Sequence, residues 1–584
     1  MESRIRVVGI IFLFGAAAIF LRLSFWQIVK GEDLSSQAKM QQVNNGKITA
    51  RRGNILASDG SWLSASVDYW TLYASKPELK SDVGVISNSL APILLTPEEP
   101  ELDASGSAIL SVKSYKEQVS EEVLRLHDLL SKDLVWIPLA RRLTDDEKSK
   151  VESLSIEGLG FEAEEGRFYP EASSSAQLLG FVGKDDDGSN KGYFGLEGYY
   201  DFTLSGRPGF LQRESDGAGN PLLFGKEKKL SAREGVDLVT NIDKTVQLVI
   251  EKNLSRGIEK YGAKSGSIIV MNPKTGAILG MASFPSYDPF KYYEYGDEYF
   301  KNPVISDFYE PGSIFKPIVM AAGLDAGVVS PDTPCDICNA PFKVDKYFIK
   351  TWNNEYHANS TMTDVIKNSD NVGMVFVGQK LGIERLYDYL DKFGFGHLTG
   401  IDLQGEFTNS LRAESEWNIV DAATTTFGQG IAVTPIQMVK AIATIANDGT
   451  PPTPQVVDRL KTKDWEDDIQ PVYSEKVISK KAADEITEMM VNAVSNGESK
   501  WAVPKGYKIA GKTGTAQIPV EGHYDEDKTL ASFVGFAPPD NPEFLMLVML
   551  REPETSQWAS ETAAPLWFSI SKELFPYLGV KPGS

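Results

Sequence analysis

Cysteine and histidine are scarce in this chain, with two and four residues among 584. Two thiols cannot build a disulfide framework. The histidines, His127, His357, His397 and His523, lack zinc-finger spacing. Basic charge is also in deficit. Eighty Asp and Glu against 59 Lys and Arg leave a formal charge of −21, which repels nucleic acid. No repeat or low-complexity tract is present, which excludes solenoids and fibrous arrays. Beyond residue 30 there is no apolar run long enough to cross a membrane. What remains is ordinary globular composition, 42% hydrophobic and 10% aromatic. The chain is too long for one core, so two or more folded units are expected. No cofactor is expected.

The amino end breaks the soluble pattern. Arg4 and Arg6 precede an apolar run over 7–21; Arg22 interrupts it, and the run resumes over 23–29. A helix over 7–29 is long enough to cross roughly 30 Å of hydrocarbon. Arg22 can snorkel to the headgroups and Trp26 suits the interface. Arg4 and Arg6 favour a cytoplasmic tail over 1–6, with the rest of the chain outside the cytoplasm. A cleaved signal peptide is the rival reading, since Ala16, Ala17 and Ala18 offer small residues. The apolar run continuing past them argues against it.

Residues 30–235 show no long periodic segments beyond a charged helical stretch over 114–130. Turn-rich pieces lie at 183–198 and 206–225. This half reads as an elongated, mixed α and β spacer or docking domain. From 236 the texture changes. A short strand over 236–242 leads to Asp243, a helix cap, and a helix over 244–261. A hairpin over 267–283 follows. Strands over 507–518, 530–537 and 544–550, then a closing helix over 562–574, complete a domain at 236–578, with a tail at 579–584. Two early strands, three late ones and helices between imply an α+β fold: a five-stranded, largely antiparallel sheet flanked by helices.

Three clusters carry chemistry. Glu310-Pro311-Gly312 reads as a turn into a helix beginning near Ser313, with Pro317 tolerated in its first turn. Ser313 and Lys316, three apart, project from one face. A serine hydroxyl needs a base to become a nucleophile, and a lysine serves if burial lowers its pKa. Alone, this pair reads as easily as a capping serine and a solvated lysine. Ser369-Asp370-Asn371 follows a probable helix over 362–367 and could present a hydroxyl and an amide to one cavity; its bland reading is a polar turn. Lys512-Thr513-Gly514-Thr515 lies in a strand. There Gly514 admits close backbone approach, Lys512 adds positive potential and the threonines share a face. A substrate's terminal carboxylate could dock there; the bland reading is a glycine bulge beside a surface lysine.

Order and spacing raise the three together, since Ser369 follows Ser313 by 56 residues and Lys512 follows Ser369 by 143. Ser313-x-x-Lys316, Ser369-x-Asn371 and Lys512-Thr513-Gly514 resemble the three signatures of penicillin-binding proteins and serine β-lactamases. The flanks resemble the class B, transpeptidase-only branch: Tyr309-Glu310-Pro311-Gly312-Ser313, Phe427-Gly428-Gln429-Gly430 with Thr434-Pro435-Ile436-Gln437, and Ser532-Phe533-Val534-Gly535-Phe536. So do Arg52-Gly53-Asn54-Ile55, Arg167-Phe168-Tyr169-Pro170 and Gly195-Leu196-Glu197 in the forward half.

The resemblance implies a D,D-transpeptidase that cross-links peptidoglycan stem peptides ending in D-Ala-D-Ala, and a β-lactam target. It implies Ser313 as nucleophile and Lys316 as its base. Ser369 relays a proton to the leaving amine, Lys512 keeps that site electropositive, and Asn371 holds Lys316 and the substrate amide. Thr513 and Thr515 would meet the terminal carboxylate beside Gly514. The backbone amides of Ser313 and Thr515 would form the oxyanion hole. It also implies a single-pass protein of the bacterial cytoplasmic membrane with its catalytic domain outside, partnered by a SEDS-type glycosyltransferase and other wall-synthesis proteins. Glu310 in its motif and the Gly-Gln-Gly-Ile-Ala-Val-Thr-Pro stretch lean to the division or sporulation type over elongation.

The alternatives are a β-lactamase, a D,D-carboxypeptidase and a non-catalytic scaffold. A penicillinase needs a deacylating base, and Glu406, 37 residues past Ser369, continues as Phe407-Thr408-Asn409, which does not match the penicillinase segment. Cys335-Asp336-Ile337-Cys338 lies outside what the resemblance implies. It admits zinc, redox, loop-disulfide and spare-thiol readings. Trp352 and Trp501 are expected in the core or a groove wall. The acidic loop Asp525-Glu526-Asp527 is expected to be solvated and could border the site.

Overall fold

The structure, a computed structural model, describes residues 2–34, 43–95, 113–171, 175–214, 227–520 and 523–583. At the amino end an α-helix, Glu2–Ser24, continues into a π-helical turn, Phe25–Val29. The stretch Ser3–Val29 is the one helix among the described residues that is long and apolar enough to cross a membrane. Phe12, Phe14 and Phe20 stand exposed along it. It starts before the apolar run because Glu2 and Arg4 form helix readily.

The chain divides into two compact units, residues 1–53 with 205–236, and residues 54–204 with 237–584. In the first, strand Val43–Ile48 pairs antiparallel with Gly209–Glu214, which pairs with Glu227–Leu230. Of the turn-rich stretch at 206–225, residues 215–225 lie outside the described residues.

The second unit holds two large sheets. In one, the long strand Trp62–Ser75 pairs with Trp136–Leu143 and Leu159–Phe168, while Asp237–Thr240 pairs with Ile55–Leu56 and with Val457–Lys461. Strands from before and after residue 236 therefore share a sheet. Helix Tyr115–Ser131 carries a complete capping box, Ser114 with Glu117. Its Leu126 and Leu130 pack with Leu72, Ile137 and Leu139 of the sheet.

The other sheet has five antiparallel strands: β1 (Ser265–Met271), β2 (Ile278–Phe284), β3 (Ala510–Val520), β4 (His523–Ala537) and β5 (Phe544–Arg551), ordered β2-β1-β5-β4-β3. Around it stand α1 (Lys244–Tyr261), α2 (Lys316–Asp325), α3 (Asn371–Leu381), α4 (Lys480–Asn496) and α5 (Ala563–Tyr577). Asp243 caps α1 as expected, accepting from Thr245 N and Val246 N.

Alternate residues of each strand face opposite cores. Ile268, Val270, Phe544, Met546 and Val548 pack with Ile250 and Leu254 of α1 and Trp567 and Phe568 of α5. Ile269, Met271, Leu545 and Leu547 pack with Ile318 and Met320 of α2 and Ile486 and Met490 of α4. With both faces covered, period-two alternation disappears, so 544–550 reads as one unbroken apolar run. Full burial of each such side chain contributes roughly 1.5–3 kcal/mol. β3 begins at Ala510 rather than Tyr507, because Gly506 (φ +85°) turns the chain and Tyr507 stacks on Phe575 of α5, ring centroids 4.3 Å apart.

Candidate active site

Ser313 sits half-buried in a 3-10 turn, Gly312–Phe315, that leads straight into α2. The helix proper starts at Lys316, three residues later than the spacing suggested, since Pro317 needs no amide partner in a first turn. The turn is clamped from outside. Gly312 N donates to Gly428 O (3.0 Å), Gly430 N donates to Glu310 Oε1 (3.0 Å), and Tyr309 exchanges two backbone hydrogen bonds with Val433. Gly428 has φ +79°, and a Cβ there would lie 2.2 Å from Gly312 O. Only glycine permits that approach.

The lysine of the turn is fully buried at the start of an apolar helix. Its Nζ donates to Ser369 O (2.5 Å) and Asn371 Oδ1 (2.7 Å) and lies 3.2 Å from Ser369 Oγ. From the other side Lys512 Nζ, also buried, reaches the same Ser369 Oγ at 3.0 Å. Neither lysine has an ion-pair partner among the described residues. Burial drives the Lys316 amine well below the usual lysine range, with the neighbouring Lys512 charge pushing the same way; Asp370 and Glu498 oppose. Burial lowers Lys512 to about 8 against the pull of Glu498.

Ser369 pays for its position in backbone strain. It holds φ +56°, a left-handed conformation that costs a serine about 1–3 kcal/mol. The turn is secured by Asp370, which caps α3 by accepting from Val372 N and Gly373 N. That strained turn aims both the carbonyl and the hydroxyl of Ser369 at Lys316. Asn371 Nδ2 donates to Lys350 O (3.0 Å), which orients its carbonyl towards the amine.

β3, an edge strand, closes the site. A Cβ on Gly514 would lie 2.9 Å from Ile314 Cγ2 and 2.8 Å from Ser532 Oγ, so its lack of a side chain lets the strand run against the serine turn. Ser313 and Thr515 thereby line one cleft of about 100 Å³ with Ser369, Asn371 and Thr513. Thr515 Oγ1 accepts from Ala559 N (3.0 Å), which leaves its own hydrogen for another acceptor. The side chains of the three clusters converge here: Ser313, Ser369, Asn371, Thr513 and Thr515 on the cleft, Lys316 and Lys512 behind Ser369.

The penicillin binding protein transpeptidase domain family matches residues 266–573, and the penicillin-binding protein dimerisation domain matches residues 47–240. The chain belongs to the penicillin-binding proteins. Stage V sporulation protein D of Bacillus subtilis is 32% identical over 98% of this chain and 86% of its own. A peptidoglycan D,D-transpeptidase FtsI homolog of Mesostigma viride is 29% identical over 99% of this chain and 96% of its own. Among solved structures, a peptidoglycan synthetase from Bifidobacterium adolescentis superposes with a TM-score of 0.70 at 25% identity, covering 93% of this chain and 98% of that one.

Several features of this penicillin-binding protein were not marked by its motifs. Trp352 and Trp558 wall the cleft with ring centroids 5.2 Å apart, and Glu498 lines it too. No spacing rule pointed to Trp558 or Glu498; each is delivered by a loop. Trp352 is the expected groove wall, but Trp501 is 65% exposed in a short 3-10 turn, Lys500–Ala502, and belongs to neither core nor cleft. Glu406 is occupied elsewhere, accepting from Thr399 N and Oγ1 and from Gly400 N. Cys335 and Cys338 form a disulfide within the main core. The side chains of Asp525, Glu526 and Asp527 lie outside the described residues.

Proposed function

We propose that the protein cross-links peptidoglycan stem peptides through an acyl-enzyme on Ser313. The observation that carries this is the meeting of two buried lysines at Ser369 Oγ, with no carboxylate paired to either among the described residues, behind a cleft lined by Ser313. A neutral Lys316 donates two hydrogens, to Ser369 O and Asn371 Oδ1, and keeps a lone pair. It takes the Ser313 proton as Oγ attacks the carbonyl of the penultimate D-alanine. The oxyanion forms against the amides of Ser313 and Thr515. Ser369, beside a cationic Lys512, passes a proton to the departing D-alanine amine, and Thr513 and Thr515 hold its carboxylate. Asn371 keeps Lys316 and the substrate amide in register. An amine of a neighbouring stem peptide then takes the acyl group. A β-lactam, which imitates the dipeptide, acylates Ser313 and stays.

Similarity to a sporulation protein and to a D,D-transpeptidase supports a role in division or sporulation. The amino-terminal helix fits a single-pass anchor in a bacterial cytoplasmic membrane, with residues 236–578 acting outside it and 30–235 serving as a docking region. A SEDS-type glycosyltransferase is the partner that the family resemblance implies. Incubation of the purified protein with a synthetic stem peptide ending in D-Ala-D-Ala, read by mass spectrometry, is expected to give free D-alanine and a cross-linked dimer, and Ser313→Ala neither. Trimmed monomers alone would make it a carboxypeptidase; no turnover by the wild type contradicts the reading.

A further inference from the structure

Glu498 stands two residues past the end of α4, where the helix's last carbonyls gather negative potential. Helices favour a cation there, so a carboxylate is out of place on grounds of stability. The turn that carries it is nevertheless firmly built. A Cβ on Gly497 would lie 2.2 Å from Ala493 O, and Ser499 is buried, while the Glu498 side chain stays exposed on the cleft. Glu498 has no ion-pair partner among the described residues. Beside it on the same cleft are Trp352 and Trp558, 44% exposed in the first case, with their rings edge to face. A carboxylate, the negative end of a helix and two indole rings all attract one kind of group, a cation.

The acylation half of the reaction does not account for this arrangement. The Glu498 charge helps to keep Lys512 cationic but opposes the depressed pKa of Lys316, and so a neutral base, and neither effect calls for the two indole rings. The second half does account for it, because the attacking amine arrives from water as an ammonium. We propose that Glu498, with the rings of Trp352 and Trp558, forms the subsite that receives the cationic amine of the acyl acceptor. This rests on Ser313 being the acylated nucleophile. Once held there, the ammonium gives up two protons, its nitrogen bonds to the acyl carbon and the ester bond to Ser313 Oγ breaks. One proton restores the Ser313 hydroxyl and the other leaves to solvent, so the amide forms without any further reactant. Glu498 is a specificity residue for the acceptor and takes no part in bond making.

The test is the fate of the acyl group supplied by a D-alanyl thioester donor, in the wild type, Glu498→Gln and Glu498→Asp. Two acceptors are compared: glycinamide, a cation, and methanol, which is neutral. The half-saturating glycinamide concentration, taken relative to that of methanol in the same variant, is expected to rise about tenfold in Glu498→Gln and to recover in part in Glu498→Asp. Equal changes for both acceptors, or none for glycinamide, overturn the subsite. A fall in plain hydrolysis equal to the fall in transfer overturns it too, since Glu498 would then be acting on water. Penicillin adduct formation separates the two readings. A wild-type protein with no adduct on Ser313 sinks both; an adduct with glycinamide dependence unaltered by Glu498→Gln sinks the subsite alone.

Discussion

The larger compact unit buries positive charge in two places, in opposite ways. Arg167, in the strand Leu159–Phe168, has a side chain 5% exposed and lies 2.6 Å from the wholly buried carboxylate of Glu197. Ser64 Oγ donates to the same carboxylate, and Arg167 Nη1 donates to Ser66 Oγ. Charge meets charge, and hydrogen bonds reach both partners. Around Lys316 and Lys512 there are two backbone carbonyls, an amide and hydroxyls, and no carboxylate in contact among the described residues. Burying an unpaired cation costs several kcal/mol, a cost relieved by shedding the proton. The matched pair welds strands and helices together. The unmatched pair keeps amines ready to exchange protons, which is the signature of a working site.

Substitutions at the two places sharpen that contrast. Lys316→Met should slow acylation by a fluorescent penicillin ~10³-fold or more, because the serine loses its base, while the thermal midpoint shifts little. Arg167→Met should do the reverse. It strands the Glu197 carboxylate and costs about 3–5 kcal/mol in chemical denaturation, with the acylation rate of the folded protein retained. Adding Glu197→Leu to it should recover most of the loss. An intermediate effect is expected from Gly428→Ala, whose methyl meets Gly312 O and displaces the serine turn. Acylation should drop about ten- to a hundredfold through lost alignment, with a smaller fall in the midpoint from the strained backbone.

The smallest effect is in pH. Lys512 is useful as a cation and its amine sits at about 8, so the alkaline limb of acylation falls as pH rises through that value. Stopped-flow acylation across pH 6–10 in the wild type and in Lys512→Arg reads this. The arginine stays charged and should abolish the alkaline decline, whatever it does to the absolute rate. Loss of the decline only in Lys316 variants would reverse the assignment of roles.

Much of this was legible in the chain. The five strands of the main sheet, the capped α1 and the closing helix all announced themselves, because apolar runs, Asp243 and turn residues act locally. The residues that meet around the cleft were legible as three clusters because Ser313 with Lys316, Ser369 with Asn371, and Lys512 with Gly514 each lie within a few positions. What sequence could not supply was long-range closure. That Gly428 must lack a side chain to receive Gly312, or that Gly514 must admit Ile314, is visible only once two distant segments touch. The helix boundary at Ser313 shifted because a clamped 3-10 turn replaced the first turn of an ideal helix. Glu498 and Trp558 went unmarked for the same reason. Neither belongs to a short sequence motif, and their meaning lies in the cleft they share.

The central claim is that a buried lysine unmasks Ser313 as a nucleophile. Its most direct measurement is intact mass of the purified protein after penicillin treatment, with the adduct mapped by peptide fragmentation. One penicillin per chain on the peptide containing Ser313, absent in Ser313→Ala and strongly slowed in Lys316→Met, is the expected result. A stable adduct on another residue, or undiminished labelling of Ser313 in Lys316→Met, would contradict it.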